Sequence, residues 1–224
     1  MNEFIFFFHI LAVIIFTLGA LKWGKEALTV SIVIQTILAN LFVTKQMTLF
    51  HFNVTCSDVF AIGGVLGLNL LQEFFSKDSA KRAAWICFYF MLFFAVMSQI
   101  HLLYTPSLYD TAHHSFVNLL SSTPRLLFAS LATFSLVQLF DRHLFSRLKK
   151  KFSTAPLMFR NGLALICSQL LDTVLFSFLG LYGLVASMFD IIAVSFLIKL
   201  LIIFCITPCI DFSKKILSQT TMQK

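Results

Sequence analysis

Seven apolar runs, each about 20 residues long, fill most of the 224-residue chain and leave it little to build a water-soluble core from. In hydrocarbon every backbone N–H and C=O must find a partner inside the protein, which makes each run a helix. The expected spans are 4–21, 27–45, 54–75, 83–104, 124–145, 159–180 and 184–206. Only short connections remain, so residues 1–224 read as one all-α, polytopic membrane domain without room for a soluble catalytic domain.

The residue balance fits a bilayer. Hydrophobic residues make up 58% and charged residues 12%, against roughly 25% charged in soluble chains, and mean hydropathy is +0.89. The net charge of +7 does not point to nucleic acid, and none is expected to bind directly, because the bases gather in a few loops. Lys22 and Lys25, then Lys77, Lys81 and Arg82, then Arg147 and Lys149 to Lys151, then Lys214 and Lys215 follow alternate spans. The excess of bases on one side predicts an inner (cytoplasmic) membrane protein with the N-terminus outside and the C-terminus cytoplasmic. Lys149-Lys150-Lys151 adds contact with anionic lipid. Met1-Asn2-Glu3 lacks the positive start of a signal peptide, so the first helix is expected to be retained.

Several reaction classes have no visible machinery. Five cysteines without paired loop spacing argue against a disulfide framework. Cys205 and Cys209 lie one helical turn apart with no nearby His, and His113-His114 reads as a solvated outer loop, so no metal site is expected. No Walker loop, His-Glu-x-x-His or Gly-x-Ser-x-Gly occurs, and neither catalytic residues nor a cofactor are expected.

The informative residues are polar ones inside the apolar runs. A carboxylate near mid-bilayer costs roughly 2.5–3.5 kcal/mol on insertion scales, so such groups face one another or a cavity. On the third span Asp58 and Asn69 fall within about 20° of each other around the helix, with Gln72 and Glu73 near the same stripe. Gly63 and Gly67 have the spacing that lets helix backbones approach, and Gly64 widens that groove. On the sixth span Asn161, Ser168 and Asp172 form a second stripe beside Gln169, with Asp172 the most deeply placed acid.

The fifth span opens at Pro124-Arg125 and continues through Ser130, Gln138 and Asp141. Arg125 either draws ligands to the outer mouth or snorkels to the interface. On the last span Asp190 and Lys199 are half a turn out of phase, so each needs another partner; Lys199 either snorkels or neutralises an acid such as Asp172. For Gln35, Asn40 and Gln99 a helix–helix hydrogen bond is the simplest reading.

These residues, in this order, carry a resemblance. Leu38-Ala39-Asn40 with Lys45, Ser57-Asp58, Gly67 to Glu73, Pro124-Arg125 to Gln138 and Asp141, Asn161, Ser168, Leu171-Asp172-Thr173, Asp190, Lys199 and Thr207-Pro208 resemble the queuosine precursor transporters, also called vitamin uptake-like transporters. The likeness covers roughly residues 30–210; Ser76 departs from it, standing where related sequences often have Gly. It implies six core transmembrane helices, with the first span as an N-terminal addition. It also implies import of 7-cyano-7-deazaguanine, its aminomethyl derivative or queuine, which supply queuosine in tRNA.

On this resemblance Asn40, Asp58, Asn69, Glu73, Arg125, Gln138 and Asp172 become candidate substrate-binding residues. Asp172, Asp190 and Lys199 become candidates for proton coupling or charge pairing. A carboxylate accepts from the N–H edge of a guanine-like ring, an amide side chain meets its remaining polar atoms, and Phe faces stack on its plane. The expected partners are the 7-deazapurine and the lipid bilayer; a homo-oligomer and energising subunits remain open. A substrate-binding subunit that borrows an ATPase is the nearest alternative. An intramembrane enzyme using Asp58 and Asp172, or a structural bundle protein, stand further off.

Overall fold

The computed structural model describes residues 1–151 and 157–201. Its elements are helices α1 (Asn2–Lys22) and α2 (Lys25–Phe42), strands β1 (Gln46–Leu49) and β2 (Phe52–Thr55), and helices α3 (Asp58–Phe74), α4 (Lys77–Leu102), α5 (His113–Leu120), α6 (Thr123–Lys151) and α7 (Leu157–Phe176). A π-helical turn, Ser177–Leu181, extends α7, and residues 188–201 are helical and form α8. The end expected for the seventh span, with Thr207-Pro208 and the last basic pair, lies outside the described residues.

The chain is mostly helical rather than purely so. Residues 46–55 form an antiparallel hairpin, pairing Gln46 with Thr55 and Leu49 with Phe52. Met47 and Leu49 alternate with polar neighbours in a strand rhythm that the hydropathy of the run conceals. Phe50 and His51 turn the corner at φ 48° and 70°, the positive values that a two-residue hairpin turn demands and that side chains resist. The second expected span therefore stops at Phe42 and the third begins at Asp58.

Among the described residues, Asn2–Lys22, Lys25–Phe42, Lys77–Leu102 and the run His113–Val137 are long and apolar enough to cross a membrane, and Leu165–Leu181 is a shorter apolar helix. Seven full-length spans were expected; α3 has only 17 residues, about 25 Å at 1.5 Å per residue, and spans less than the roughly 30 Å hydrocarbon core. His113 and His114, expected in a solvated loop, instead begin helix α5. Asp110 Oδ1 accepts from the N–H of Ala112 at 2.8 Å and of His113 at 3.1 Å, which satisfies donors at the start of α5.

Packing centres on α3. A Cβ on Gly63 would overlap Gln35 and Val13, and one on Gly67 would come within 2.6 Å of Ile32. These two glycines let α1 and α2 approach the α3 backbone closely. Gln35 Nε2 then donates to Thr17 Oγ1 at 3.0 Å across the α1–α2 contact, and Gln99 Nε2 to Leu120 O at 3.0 Å between α4 and α5. Both are the helix–helix bonds expected of them.

Candidate functional site

Faces of six helices, α2, α3, α4, α6, α7 and α8, line a cavity of about 390 Å³ that is mainly apolar with a few polar groups. Its size falls in the roughly 300–1,000 Å³ range of small-molecule sites. None of the residues lining it comes from α1, which packs on the outside of α3 through the glycine contacts above. Gly64 lies on the cavity side: a Cβ there would meet nothing within 4 Å.

Helical spacing delivers the polar groups. On α7, Gln169, Asp172, Thr173, Phe176 and Ser177 recur at the three- and four-residue intervals of one face, and all line the cavity. On α8, Ile191, Ser195 and Lys199 do so at intervals of four. The two faces meet in an ion pair, with Lys199 Nζ 2.6 Å from Asp172 Oδ2. The same ammonium donates to Thr173 Oγ1 at 3.0 Å. The Asp172 side chain keeps 34% of its surface exposed and Lys199 17%, so the acid is the more open of the two. Among the described residues, no bond is seen to Asp172 Oδ1.

Asp58 forms the second charged point, at the first residue of α3, where the helix N-terminus favours a negative group. It is 8% exposed. Ser195 Oγ donates to it, lying 2.9 Å from Oδ1 and 3.0 Å from Oδ2. Asn40 supplies a neutral acceptor. Its Nδ2 donates to Thr36 O at 2.9 Å and reaches Met91 Sδ at 3.5 Å, which leaves its buried Oδ1 without a partner among the described residues. Phe60, Phe88, Phe134 and Phe176 add aromatic walls; Phe88 and Phe134 meet edge to face at 5.0 Å.

Four of the candidate binding and coupling residues, Asn40, Asp58, Asp172 and Lys199, thus line one cavity, together with Ser130 and Gln169 from the polar stripes. Others lie elsewhere. Asn69 Nδ2 donates to Val65 O of its own helix at 3.0 Å, and Glu73 is exposed near the end of α3. Arg125 Nε donates to Leu179 O at 3.0 Å and Nη2 to Tyr182 O at 2.7 Å, holding the π-helical turn. Asp190 Oδ2 accepts from the Asn53 N–H at 3.1 Å and ties α8 to the hairpin. Ser168 is buried but is not among the lining residues. The side chains of Gln138, Asp141 and Asn161 lie outside the described ones. Ser195 was missed, although its place four residues before Lys199 puts it on the same face.

Comparisons with known proteins identify relatives of the chain. Residues 55–212 match the family described as "Putative vitamin uptake transporter". The chain is 31% identical over 185 residues, covering 81% of each sequence, to the "Probable queuosine precursor transporter" of Bacillus subtilis (strain 168). No solved structure matches. With a match over more than half its length and this relative, the chain belongs to the vitamin uptake transporter family.

Proposed function

We propose that the protein imports a 7-deazaguanine precursor of queuosine across the inner membrane, binding it in the cavity between α3, α7 and α8. The observation that carries this reading is the set of unspent acceptors around a flat-ligand-sized space. Asp172 engages Lys199 through one oxygen and offers the other to the N–H edge of a guanine-like ring. Gln169 and Lys199 line the same space and supply donors for the ring carbonyl. Phe88 and Phe134 wall the space in which the ring plane lies.

The likeness to a probable queuosine precursor transporter supports the same ligand class. The loop charges support entry from the hairpin end. The N-terminus of α1 and the α7–α8 connection both bond to the hairpin, through Asn2 to Thr48 O at 2.9 Å and Gln46 Oε1 to the Ala186 N–H at 3.0 Å. Lys22, Lys25, Lys77 and Lys81 lie at the opposite end of the helices they flank.

Liposomes containing only the purified chain test the proposal. They are expected to accumulate labelled 7-cyano- or 7-aminomethyl-7-deazaguanine unchanged, and cells unable to make queuosine should recover it in tRNA when given the gene and a precursor. Absence of both uptake and rescue with every precursor would overturn the reading. Rescue in cells without uptake in liposomes would assign the chain to a complex with an energising partner.

A further inference from the structure

The cavity does not balance its charge. Its described lining holds two carboxylates, Asp58 and Asp172, and a single cationic side chain, Lys199. Lys199 is committed to α7, at 2.6 Å from Asp172 and 3.0 Å from Thr173. Asp58, more deeply buried than Asp172, receives only the Ser195 hydroxyl among the described residues, and one hydroxyl proton cannot satisfy both oxygens it approaches at 2.9 and 3.0 Å. The N-terminus of α3 offsets part of the charge on Asp58, and the remainder is met by a proton or by a cation.

We infer that the cavity selects ligands bearing a positive charge on the arm attached to the heterocycle, with Asp58 as the residue that meets that charge. The inference rests on the reading of the site given above and narrows it to a substrate class, a deazaguanine carrying an ammonium group. Ser195 and Lys199 are one turn apart on α8, so the acids they contact stand side by side along the cavity. With the ring edge of a ligand on Asp172, Asp58 is the acid left in the described lining for an arm to meet. An ammonium at that place gives Asp58 a charge-assisted hydrogen bond and brings the site to neutrality. A neutral nitrile arm offers only an acceptor and would meet a second acceptor there.

The full-length purified chain distinguishes the two arms by equilibrium binding at neutral pH. The 7-aminomethyl compound is expected to bind more tightly than the 7-cyano compound by roughly tenfold or more, the scale of one hydrogen bond to a charged group. Asp58→Asn is expected to erase most of that ratio by weakening the aminomethyl compound alone. Equal affinities in the wild-type protein, or tighter binding of the cyano compound, would overturn the inference while leaving the proposed function intact; the second result would mean that Asp58 holds a proton and donates it. Binding of neither compound would overturn both. An unchanged ratio in folded Asp58→Asn would also overturn the inference; should that variant fail to fold, Asp58→Ser takes its place with the same expectation.

Discussion

Two sets of polar residues interrupt the apolar helices, and they are spent differently. At the hairpin end, Arg125 and Asp190 direct their charged groups to backbone partners, the carbonyls of Leu179 and Tyr182 and the N–H of Asn53. In the cavity, Asp172 keeps an oxygen that no described group of the protein fills, and the two oxygens of Asp58 share a single hydroxyl. The first set fastens loops at the helix ends through exposed bonds to the backbone. The second keeps bonding capacity beside a void. A polar residue in a membrane helix is thus informative about a ligand only when part of its bonding capacity remains unused and faces open space.

The largest effect should separate the two sets at their centre. Asp172→Ala is expected to weaken ligand binding by about tenfold to a hundredfold, the loss of a charged hydrogen bond. It also strands the Lys199 ammonium, so thermal unfolding in detergent should show a stability loss as well. Removing one partner of a fully buried pair costs roughly 3–5 kcal/mol, and the openness of Asp172 to the cavity brings the expectation to about 1–3 kcal/mol. Replacing both partners by apolar residues, Asp172→Leu with Lys199→Met, should restore stability and leave binding absent. Recovery of binding in that double variant would erase the distinction between the sets.

The glycines give the next largest effect. Gly64→Leu adds a side chain toward the cavity, where nothing lies within 4 Å, and is expected to abolish measurable uptake with little change in unfolding temperature. Gly63→Ala, one residue away, forces Gln35 and Val13 aside and should cost about 1–3 kcal/mol of stability, the usual scale of overpacking. Comparable unfolding temperatures for the two variants would contradict the assignment of Gly64 to the void and Gly63 to the helix contact.

Smaller effects belong to the hairpin end. Arg125→Ala should lower stability by about 1–3 kcal/mol through loss of its donors to two carbonyls, with ligand affinity within about twofold of wild type, as separate sites behave independently. Asp190→Asn retains a side-chain oxygen and should cost only about 0.5–1.5 kcal/mol. Its signature is faster hydrogen exchange at the Asn53 amide. An affinity loss in Arg125→Ala as large as that of Asp172→Ala would join the two ends into one site.

Much of this arrangement was legible in the sequence, for reasons specific to each residue. Asp172 and Lys199 stood out because ionisable groups are costly within apolar runs, and neutralisation of the acid by the lysine was one of the two readings open for Lys199. The helix–helix bond of Gln35 followed from the same cost. The hairpin did not stand out, because nearly all of it falls in the connection between the second and third expected spans, and its period of two extends over only four residues in each strand. Asn69 and Arg125 show the other limit. Angular position on a helix places a residue on a face, yet it cannot say whether a nearby carbonyl already consumes the side chain's donors. Ser195 escaped notice because a serine in an apolar run costs little, although it shares the face of Lys199.

The most direct test of the central claim is equilibrium binding of a labelled 7-deazaguanine compound to three purified proteins: wild type, Asp172→Ala and Arg125→Ala. The account predicts a loss of about tenfold or more in Asp172→Ala and an affinity within about twofold of wild type in Arg125→Ala. Undiminished binding by Asp172→Ala would contradict it.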